Sequence, residues 1–349
     1  MISDYKKLKV YITGASGFKG SWLLFWLKKI GAKTKAIGLE PEKNNILLKS
    51  LELNNSSIEI LNILDYSNLF DSINNFKPDI IFHLAAQSIV SESIIDPITT
   101  YKTNVIGSAN ILEVSKKLKI PMVMITSDKC YKNNEWLWSY RENDELGGND
   151  PYSASKAAAE LVFNSYLKTF YLNDKYLYIA SARAGNVIGG GDMKTNRIIP
   201  DIFRSIFDKN SIYLRNPKST RPWQHVLEPL NGYMILGLNL LNKKFLTSKI
   251  KANWNFGPNT ENCKDVEYLT NYIINYLKID IPIKVKKTDF KEQNLLMLDN
   301  TKSKSELNWN AKMGINQTLE FTSDWYMTFK KTDNILKFSN IQIEEFENL

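Results

Sequence analysis

Short apolar runs alternate along the first half of the chain with longer segments whose apolar residues recur every three or four positions. Short runs are typical of buried strands, and the longer spacing is typical of helices with one buried face. Six runs are predicted strands: KVYITG (9–14), TKAIG (34–38), IEILNI (58–63), DIIFHLA (79–85), PMVMITS (121–127) and LYIASAR (177–183). Predicted helices between them include SWLLFWLKKIG (21–31) and TNVIGSANILEVSKKL (103–118). This alternation predicts an α/β fold, a Rossmann-type doubly wound parallel sheet with helices on both faces.

The pattern changes after about residue 190, where loops rich in Pro, Asn and Gly separate the remaining helical segments. The helices predicted there cover residues 199–208, 226–241, 264–278 and 316–330. We therefore expect three parts. They are a sheet domain (1–190), a segment that mainly forms a smaller lobe over the carboxyl ends of the strands (191–330), and a peripheral C-terminal tail (331–349).

A glycine-rich turn joins the first predicted strand to the first predicted helix in VYITGASGFKGSW. In that position glycines allow a tight turn and a close backbone approach to a pyrophosphate, and the helix N-terminus supplies amide groups. The turn predicts a dinucleotide site with the residues Gly14, Ser16, Gly17, Phe18, Lys19 and Gly20.

The end of the second strand, AIGLEP, bears on which dinucleotide binds. Gly38 occupies the position where an acidic residue usually binds the adenosine ribose, so Glu40 is the candidate for this contact. A solvated turn residue is the alternative for Glu40. The lack of a nearby arginine for a 2′-phosphate favours NAD, although Lys35 and Lys43 leave NADP open.

Acid–base chemistry is predicted where the fifth strand ends. Ser127, Asp128 and Lys129 lie there, at the edge of the sheet where α/β proteins bind ligands. Asp150–Pro151 predicts a helix start, which places Tyr152 and Lys156 one turn apart. Because a nearby ammonium favours tyrosinate, we expect a lowered pKa for Tyr152 and a role in proton transfer.

Composition narrows the class of protein. The chain of 349 residues is 43% hydrophobic and 23% charged, as in ordinary globular proteins. The sequence contains no apolar run of about 18 residues, so no membrane span is predicted. The N-terminus lacks a signal-peptide core and there are only two cysteines, so we expect a cytoplasmic protein without disulfides or metal. The net charge of +8 is spread over scattered lysines, which argues against nucleic-acid binding.

The arginines are less evenly distributed than the lysines, since all six lie between residues 141 and 221. A guanidinium binds phosphate in a bidentate manner, so we expect two or three of them to contact ligand, with a chance cluster as the alternative. The six are Arg141, Arg183, Arg197, Arg204, Arg215 and Arg221.

Together these segments resemble the extended short-chain dehydrogenase/reductase family, and within it the nucleotide-sugar 4,6-dehydratases. The resemblance covers nearly the whole chain. It rests on TGASGFKGSWL, FHLAAQSIV, TSDKCYKNNEWLWSYRENDELGGNDPYSASK, ARAGNVIGGGD, RPWQHVLEPLNGY and WNFGPN. The block from 126 to 156 is typical of the subgroup that acts on CDP-glucose, because dehydratases for other nucleotides usually have Asp-Glu at the positions of Asp128 and Lys129.

The resemblance implies an NAD-dependent hydro-lyase that forms CDP-4-keto-6-deoxy-D-glucose and water, for deoxysugar and O-antigen (lipopolysaccharide) biosynthesis. Tyr152, with Lys156, would remove the 4-hydroxyl proton while NAD takes the hydride from carbon 4, and Ser127 would hydrogen-bond the carbonyl. Lys129, having lost its charge, would deprotonate carbon 5. Asp128 would protonate the departing 6-hydroxyl before the hydride returns to carbon 6.

The resemblance also implies binding residues and an assembly. Further NAD contacts would come from Asn62, Ile63, Leu84, Ala85, Ala86 and Asn104. The nucleotide sugar would contact Gln87, Ser88, Asn186, Arg197, Arg215 and Arg221. A homodimer or homotetramer is expected, with helices 103–118 and 151–168 at the dimer interface. Departures from the subgroup pattern at Ala15, Gly38 and Asn62 predict loosely held NAD.

Two other functions stay open. A nucleotide-sugar 4-epimerase on the same scaffold would need Tyr152 and Lys156 but neither Asp128 nor Lys129. A non-catalytic NAD-binding module would have no need for the pair of Tyr152 and Lys156.

Overall fold

Seven strands form one parallel sheet at the centre of the protein, whose computed structural model describes residues 2–41, 46–53, 57–176, 178–246, 251–286, 295–332 and 334–349. The strands are β1 (Lys9–Thr13), β2 (Lys33–Gly38), β3 (Glu59–Ile60), β4 (Ile80–His83), β5 (Met122–Ile125), β6 (Ile179–Ala184) and, much later in the chain, β11 (Asn253–Phe256). Their spatial order is β11-β6-β5-β4-β1-β2-β3. The predicted doubly wound parallel sheet is confirmed.

Each of the six predicted strands is found, with shorter bounds in most cases. The strand predicted over 58–63 is reduced to Glu59–Ile60, and residue 177 of the sixth lies outside the described residues. The sequence analysis did not predict the strand Asn253–Phe256. It pairs with β6 and adds a strand to the sheet from within the segment 191–330.

Six shorter strands make two-stranded pairings beside the main sheet. They are β7 (Val187–Ile188), β8 (Ile212–Leu214), β9 (Thr220–Pro222), β10 (Gln224–His225), β12 (Cys263–Asp265) and β13 (Ile283–Val285). The pairs are β7 with β10, β8 with β13, and β9 with β12. All of them follow β6 in the chain.

The helices lie on both faces of the sheet. They are α1 (Phe18–Ile30), α2 (Ile46–Ser50), α3 (Tyr66–Phe76), α4 (Val90–Ile95), α5 (Pro97–Tyr101), α6 (Gly107–Leu118), α7 (Pro151–Tyr166), α8 (Ile198–Phe207), α9 (Leu227–Leu241), α10 (Val266–Leu277), α11 (Thr301–Leu307), α12 (Ile315–Lys331) and α13 (Ile335–Asn348). Helices α1 and α9 contact each other and the sheet on one side, and α6 packs with α3 and α7. Short 3₁₀ segments cover Ile2–Lys7, Asp128–Cys130 and Thr260–Asn262, and π-helical turns cover Lys102–Ile106 and Leu167–Tyr171.

The predicted start of α7 is present. Asp150 caps the helix by accepting a hydrogen bond from the Ser153 amide at 2.9 Å, and Pro151 occupies the first helical position. This cap satisfies an amide that has no partner within the helix, and so fixes where the first turn begins. The position of Tyr152 in that turn follows directly.

The C-terminal residues form a helix that belongs to the core, rather than a peripheral tail. Ile343 and Phe346 of α13 are fully buried, and the Phe346 ring meets Trp26 of α1 edge-on at 5.7 Å. The prediction was wrong here because the apolar residues of IQIEEFENL are few, and their partner lies more than 300 residues away. Among the described residues, none of the helices has the length and apolar character needed to cross a bilayer.

Candidate functional site

A cavity of about 870 Å³ opens at the carboxyl ends of β1, β4, β5 and β6. The strand order reverses between β1 and β4, where doubly wound sheets bind their ligands. Of the predicted site residues, only Asn104 is not in the lining of this cavity. The lining contains Gly14, Ser16, Gly17, Phe18, Lys19, Gly20, Glu40, Asn62, Ile63, Leu84, Ala85, Ala86, Gln87, Ser88, Ser127, Asp128, Lys129, Tyr152, Lys156, Asn186, Arg197, Arg215 and Arg221.

The glycine-rich turn has the geometry that a pyrophosphate requires. Gly14 has a φ of 72°, and a β-carbon on it would lie 2.5 Å from the backbone nitrogen of Ala85. Only glycine fits there, so the loops after β1 and β4 meet closely. Helix α1 begins after Gly17 without a side-chain cap, which leaves its first amides available to an anion. These residues fit a dinucleotide phosphate.

The contact between Gly38 and Ser16 explains why position 38, where the adenosine ribose is expected, has no acidic residue. A β-carbon on Gly38 would lie 2.5 Å from Ser16 Oγ, so the glycine makes room for the serine. Glu40 is exposed and lines the cavity. Lys35 is paired with Glu59 at 2.9 Å, and Lys43 lies outside the described residues.

Asn62, Gln87 and Asn104 are more constrained by protein contacts than the sequence suggested. Asn62 Oδ1 already accepts a hydrogen bond from the Leu64 amide at 2.9 Å. The Gln87 side chain is bonded within its own loop and to Thr100. Asn104 is buried, where its side chain bonds both backbone groups of Gln87. We therefore correct the assignment of Asn104, because it supports the cavity wall from behind.

The three residues after β5 form a compact turn. Ser127 Oγ donates to Asp128 Oδ1 at 2.8 Å and accepts from the Lys129 amide at 3.2 Å. Asp128 is buried and Lys129 is half-buried at the cavity wall. The Lys129 amine has no hydrogen-bond or ion-pair partner in the part of the chain that the structure describes, so it is available to a ligand.

Tyr152 and Lys156 are buried together on α7, with Lys156 Nζ 6.0 Å from the centre of the Tyr152 ring. Burial raises the pKa of Tyr152 to about 12, and its hydrogen bond with Ser127 only partly offsets this. Burial, and then the charge of Lys19, lower the pKa of Lys156 to about 8. Burial therefore overrides the lowering of the Tyr152 pKa that was expected from the neighbouring Lys156.

Lys19 of the glycine-rich turn interacts electrostatically with the acid–base residues. Burial lowers the pKa of Lys19 to about 8, while the charge of Asp128 acts in the opposite direction. Lys19 thus interacts electrostatically with both Asp128 and Lys156. It joins the glycine-rich turn to the residues after β5.

Three of the six arginines line the cavity. Arg197 pairs with Asp192 at 2.8 Å and donates to Ser88 Oγ at 3.3 Å. Arg215 is exposed and donates to the Asn196 carbonyl at 2.9 Å, and Arg221 is buried in β9. Arg204 and Arg183 form ion pairs elsewhere, and Arg141 is exposed. Asp192 was missed, although an acid five residues before Arg197 was a usable signal.

The two histidines are core residues. His83 is hydrogen-bonded to Thr13 at 2.7 Å, and burial lowers its pKa to about 3. Burial has the same effect on His225. Cys130 and Cys263 are free thiols. Within the described ranges, no group of three or more His, Cys, Asp or Glu side chains is placed to hold a metal ion.

Known proteins resemble this chain over most of its length. The sequence profile described as "GDP-mannose 4,6 dehydratase" matches residues 11–322. The CDP-glucose 4,6-dehydratase of Salmonella typhimurium is 40% identical over 346 residues, covering 97% of this chain and 96% of that protein.

Solved structures at lower identity share the fold. A dTDP-glucose 4,6-dehydratase from Bacillus anthracis in complex with NAD has a TM-score of 0.77 at 23% identity, covering 93% of this chain and 98% of that one. A UDP-glucose 4-epimerase from Thermotoga maritima with UDP-glucose also has a TM-score of 0.77, at 20% identity, covering 93% and 100% of the two chains. The fold alone therefore does not separate dehydratase from epimerase. The profile match and the near full-length relative do, and the chain belongs to the GDP-mannose 4,6-dehydratase family of nucleotide-sugar dehydratases.

Proposed function

We propose that this chain is an NAD-dependent nucleotide-sugar 4,6-dehydratase and that its substrate is CDP-glucose. The observation that carries the proposal is the turn after β5. There a buried carboxyl, Asp128, and the Lys129 amine, which has no partner among the described residues, line the same cavity as Tyr152. The identity of 40% to a CDP-glucose 4,6-dehydratase supports the choice of nucleotide.

The oxidation half of the reaction is assigned to α7. Tyr152, as the tyrosinate, takes the proton from the 4-hydroxyl of the hexose. The Ser127 hydroxyl, which donates to Asp128 Oδ1 in this structure, would then turn to donate to the new carbonyl oxygen. When bound, NAD would supply the redox chemistry, as the acceptor of a hydride from carbon 4 and its donor to carbon 6. The residues of the glycine-rich turn, Glu40 and Lys156 would hold the cofactor.

The elimination half is assigned to Asp128 and Lys129. The 4-keto group acidifies the hydrogen on carbon 5, and the Lys129 amine removes it as a proton. Asp128 protonates the 6-hydroxyl, which leaves as water when the bond between carbon 6 and oxygen breaks. Lys129 returns its proton to carbon 5 at the end. The product is therefore the 4-keto-6-deoxy sugar, one water lighter than the substrate, with no net oxidation.

Recognition of the nucleotide diphosphate is assigned mainly to residues 191–330. The guanidinium groups of Arg197, Arg215 and Arg221 line the cavity, as does Asn186. A guanidinium matches the geometry of phosphate oxygens, so these side chains fit the two phosphates of the substrate. Ser88 and Gln87 lie on the hexose side.

A 4-epimerase is the competing function. It would use Tyr152 and Lys156 in the same way, and a relative with this fold is named as an epimerase. Removing a proton from carbon 5 would serve no purpose in epimerisation at carbon 4. The Lys129 amine, for which the described part of the chain provides no partner, therefore favours dehydration.

The test is incubation of the purified protein and NAD with CDP-, GDP-, UDP- and dTDP-glucose, followed by mass spectrometry. Dehydration of CDP-glucose removes one water, whereas epimerisation leaves the mass unchanged. Loss of water from CDP-glucose alone supports the whole proposal. Unchanged mass together with an epimerised sugar would replace it with the alternative.

We also propose a setting for the reaction. The product is a precursor of deoxysugars, which suits surface polysaccharides such as the O-antigen of lipopolysaccharide. The need for NAD and a nucleotide sugar suits the cytoplasm. We propose a homodimer formed through α6 and α7, either alone or within a homotetramer.

A further inference from the structure

Glu160 and Arg183 form a fully buried ion pair next to the candidate site. Their charged groups are 2.7 Å apart, and the side chains are 0% and 1% exposed. Glu160 follows Tyr152 and Lys156 on α7 at spacings of eight and four residues, so all three occupy one stripe of the helix. A buried ion pair is expensive to desolvate unless hydrogen bonds fill its remaining capacity, so its partners are informative.

The partners include both ends of the segment that carries the acid and the amine. Thr126 Oγ1 donates to Glu160 Oε1 at 2.5 Å, and Arg183 Nη1 donates to the Tyr131 hydroxyl at 2.7 Å. Thr126 directly precedes residues 127–130, and Tyr131 directly follows them. One ion pair thus bonds the segment at its start and at its end.

The other contacts of the pair are to rigid elements. Ser181 of β6 and Asn253 of β11 each donate to Glu160 Oε2 at 3.0 Å. Arg183 Nη1 also reaches the Glu142 carbonyl at 3.1 Å. Burial raises the pKa of Glu160, but the charge and hydrogen bonds of Arg183 outweigh this, so the net pKa is lowered and the carboxylate stays ionised. The pair is therefore anchored in the sheet as well as on α7.

We infer that Glu160 and Arg183 are positioning residues that hold the 127–130 segment in register with Tyr152 and Lys156. The inference rests on the proposed function, in which α7 carries out the oxidation and the 127–130 segment carries out the elimination. The two halves come from separate parts of the chain, and both must act on one hexose. A single pair bonded to both halves fixes their distance, and loosening it would impair elimination more than oxidation.

The test removes the bonds to the segment and leaves the pair intact. Thr126→Val and Tyr131→Phe, combined in one protein, delete the two hydroxyls with little change in side-chain size. The second change also removes the bond that the Tyr131 hydroxyl donates to Asn255 Oδ1 at 2.8 Å. The Tyr131 ring continues to pack on Tyr140, with ring centres 5.2 Å apart. The matched control combines Tyr5→Phe and Thr322→Val, which remove one buried hydroxyl bond of each kind, to Met234 and Thr318, away from the site.

Hydrogen exchange followed by mass spectrometry gives a readout that does not depend on activity. The amides of Cys130 and Tyr131 bond to the carbonyls of Ser127 and Asp128. We expect these amides to exchange about tenfold or more faster in the double variant while α7 keeps its protection. The control should leave both regions unchanged. Unchanged exchange in residues 127–131 of the double variant overturns the inference, whatever the enzyme does.

A second readout measures product formation and bound NADH in the double variant. With CDP-glucose and NAD, the double variant should form product about 10- to 100-fold more slowly and accumulate bound NADH, because oxidation outruns elimination. The control should do neither. Wild-type-like product formation without NADH overturns the inference. A wild-type protein that never releases water overturns the proposed function instead, and the exchange result still decides the positioning. If the double variant is poorly folded, Glu160→Gln is expected to give the same pair of changes.

Discussion

The Ser127 hydroxyl donates a hydrogen bond to Oδ1 of Asp128 across 2.8 Å, which turns the other carboxyl oxygen toward the loop after β6. A β-carbon placed on Gly185 would lie 3.4 Å from that oxygen, Oδ2. Oδ2 is buried and has no hydrogen-bond partner among the described residues. A buried polar atom without a partner is costly, and a substrate hydroxyl bound there would remove the cost. This arrangement suits the proposed role of Asp128 as the acid that protonates the 6-hydroxyl of a hexose.

Replacing Lys129 by alanine should stop elimination and spare the first hydride transfer. The variant loses the base for carbon 5, so product formation should fall by about 10²- to 10⁴-fold while bound NADH accumulates. Absorbance of the reduced nicotinamide and mass spectrometry of the sugar measure the two effects together. Lys132→Ala is the matched control, since Lys132 is exposed and paired with Glu145. Normal product formation by the Lys129 variant would show that another group is the base.

Replacing Tyr152 by phenylalanine should block the earlier step. Without the hydroxyl, no group removes the 4-hydroxyl proton, so product formation should fall by about 10²- to 10⁴-fold with no accumulation of NADH. The opposite NADH behaviour of this variant and Lys129→Ala distinguishes the two steps. Rapid NADH formation by Tyr152→Phe would contradict the role given to the tyrosine.

Lys156 should destabilise the ligand-free protein at neutral pH. Its pKa falls from 10.5 to about 8 on folding, first through burial and then through the charge of Lys19. Between these values the unfolded chain binds more protons at this residue, so the free energy of unfolding should rise with pH across that window. Lys156→Met should therefore stabilise the protein at pH 7 by up to about 3 kcal/mol.

Urea unfolding of the wild type and Lys156→Met, at pH 7 and at stepwise higher pH, measures this difference. The advantage of the variant should shrink above pH 8 and vanish above pH 10.5, where the lysine becomes neutral in both states. Lys129→Met is the control, because Lys129 is only half-buried. A Lys156 variant that is less stable than wild type at pH 7 would show that the ammonium has a stabilising partner.

The chemistry-bearing residues were predictable where their arrangement is local. The turn Ser127–Lys129 follows a strand, and Tyr152 follows a capped helix start, so spacing along the chain was enough to place them. The sheet was predictable for the same reason, since a helix separates each of the strands β1 to β6 from the next. The strand Asn253–Phe256 lacks that rhythm and was missed.

Residues whose role depends on distant partners were not predictable. Asn104 donates a hydrogen bond to Ser155, which lies 51 residues further along the chain. Local sequence patterns do not predict a contact between residues so far apart. Arg183 was grouped with possible phosphate ligands, but it is buried in an ion pair with Glu160. The pKa of Tyr152 was misjudged because burial is a tertiary property. The position of Glu160 next to the site could have been predicted, since it lies one helical turn after Lys156.

A single charge on the outer face of α7 should disrupt the proposed dimer. Tyr101, Ile106, Leu161 and Phe170 are 37%, 54%, 60% and 48% exposed, which leaves apolar surface on and beside α6 and α7, two helices that pack together. Leu161→Glu should weaken association by about 30-fold or more, equivalent to about 2 kcal/mol. Sedimentation velocity over a range of concentrations measures it. Leu137→Glu, on a residue 82% exposed outside those helices, should leave the assembly unchanged, and equal effects of the two changes would place the interface elsewhere.

The purified protein should carry little NAD and should respond to added cofactor. Ser16 fills the space in which an acidic side chain at position 38 would reach the ribose, and the Asn62 oxygen already bonds the Leu64 amide. The adenosine end is therefore held by fewer directed bonds, while the phosphate turn remains intact. Denaturing release followed by chromatography measures the bound NAD, and titration of the initial rate measures the response to added NAD. Near-stoichiometric NAD in a fresh preparation would show instead that Glu40 and the turn after β1 are sufficient to retain the cofactor.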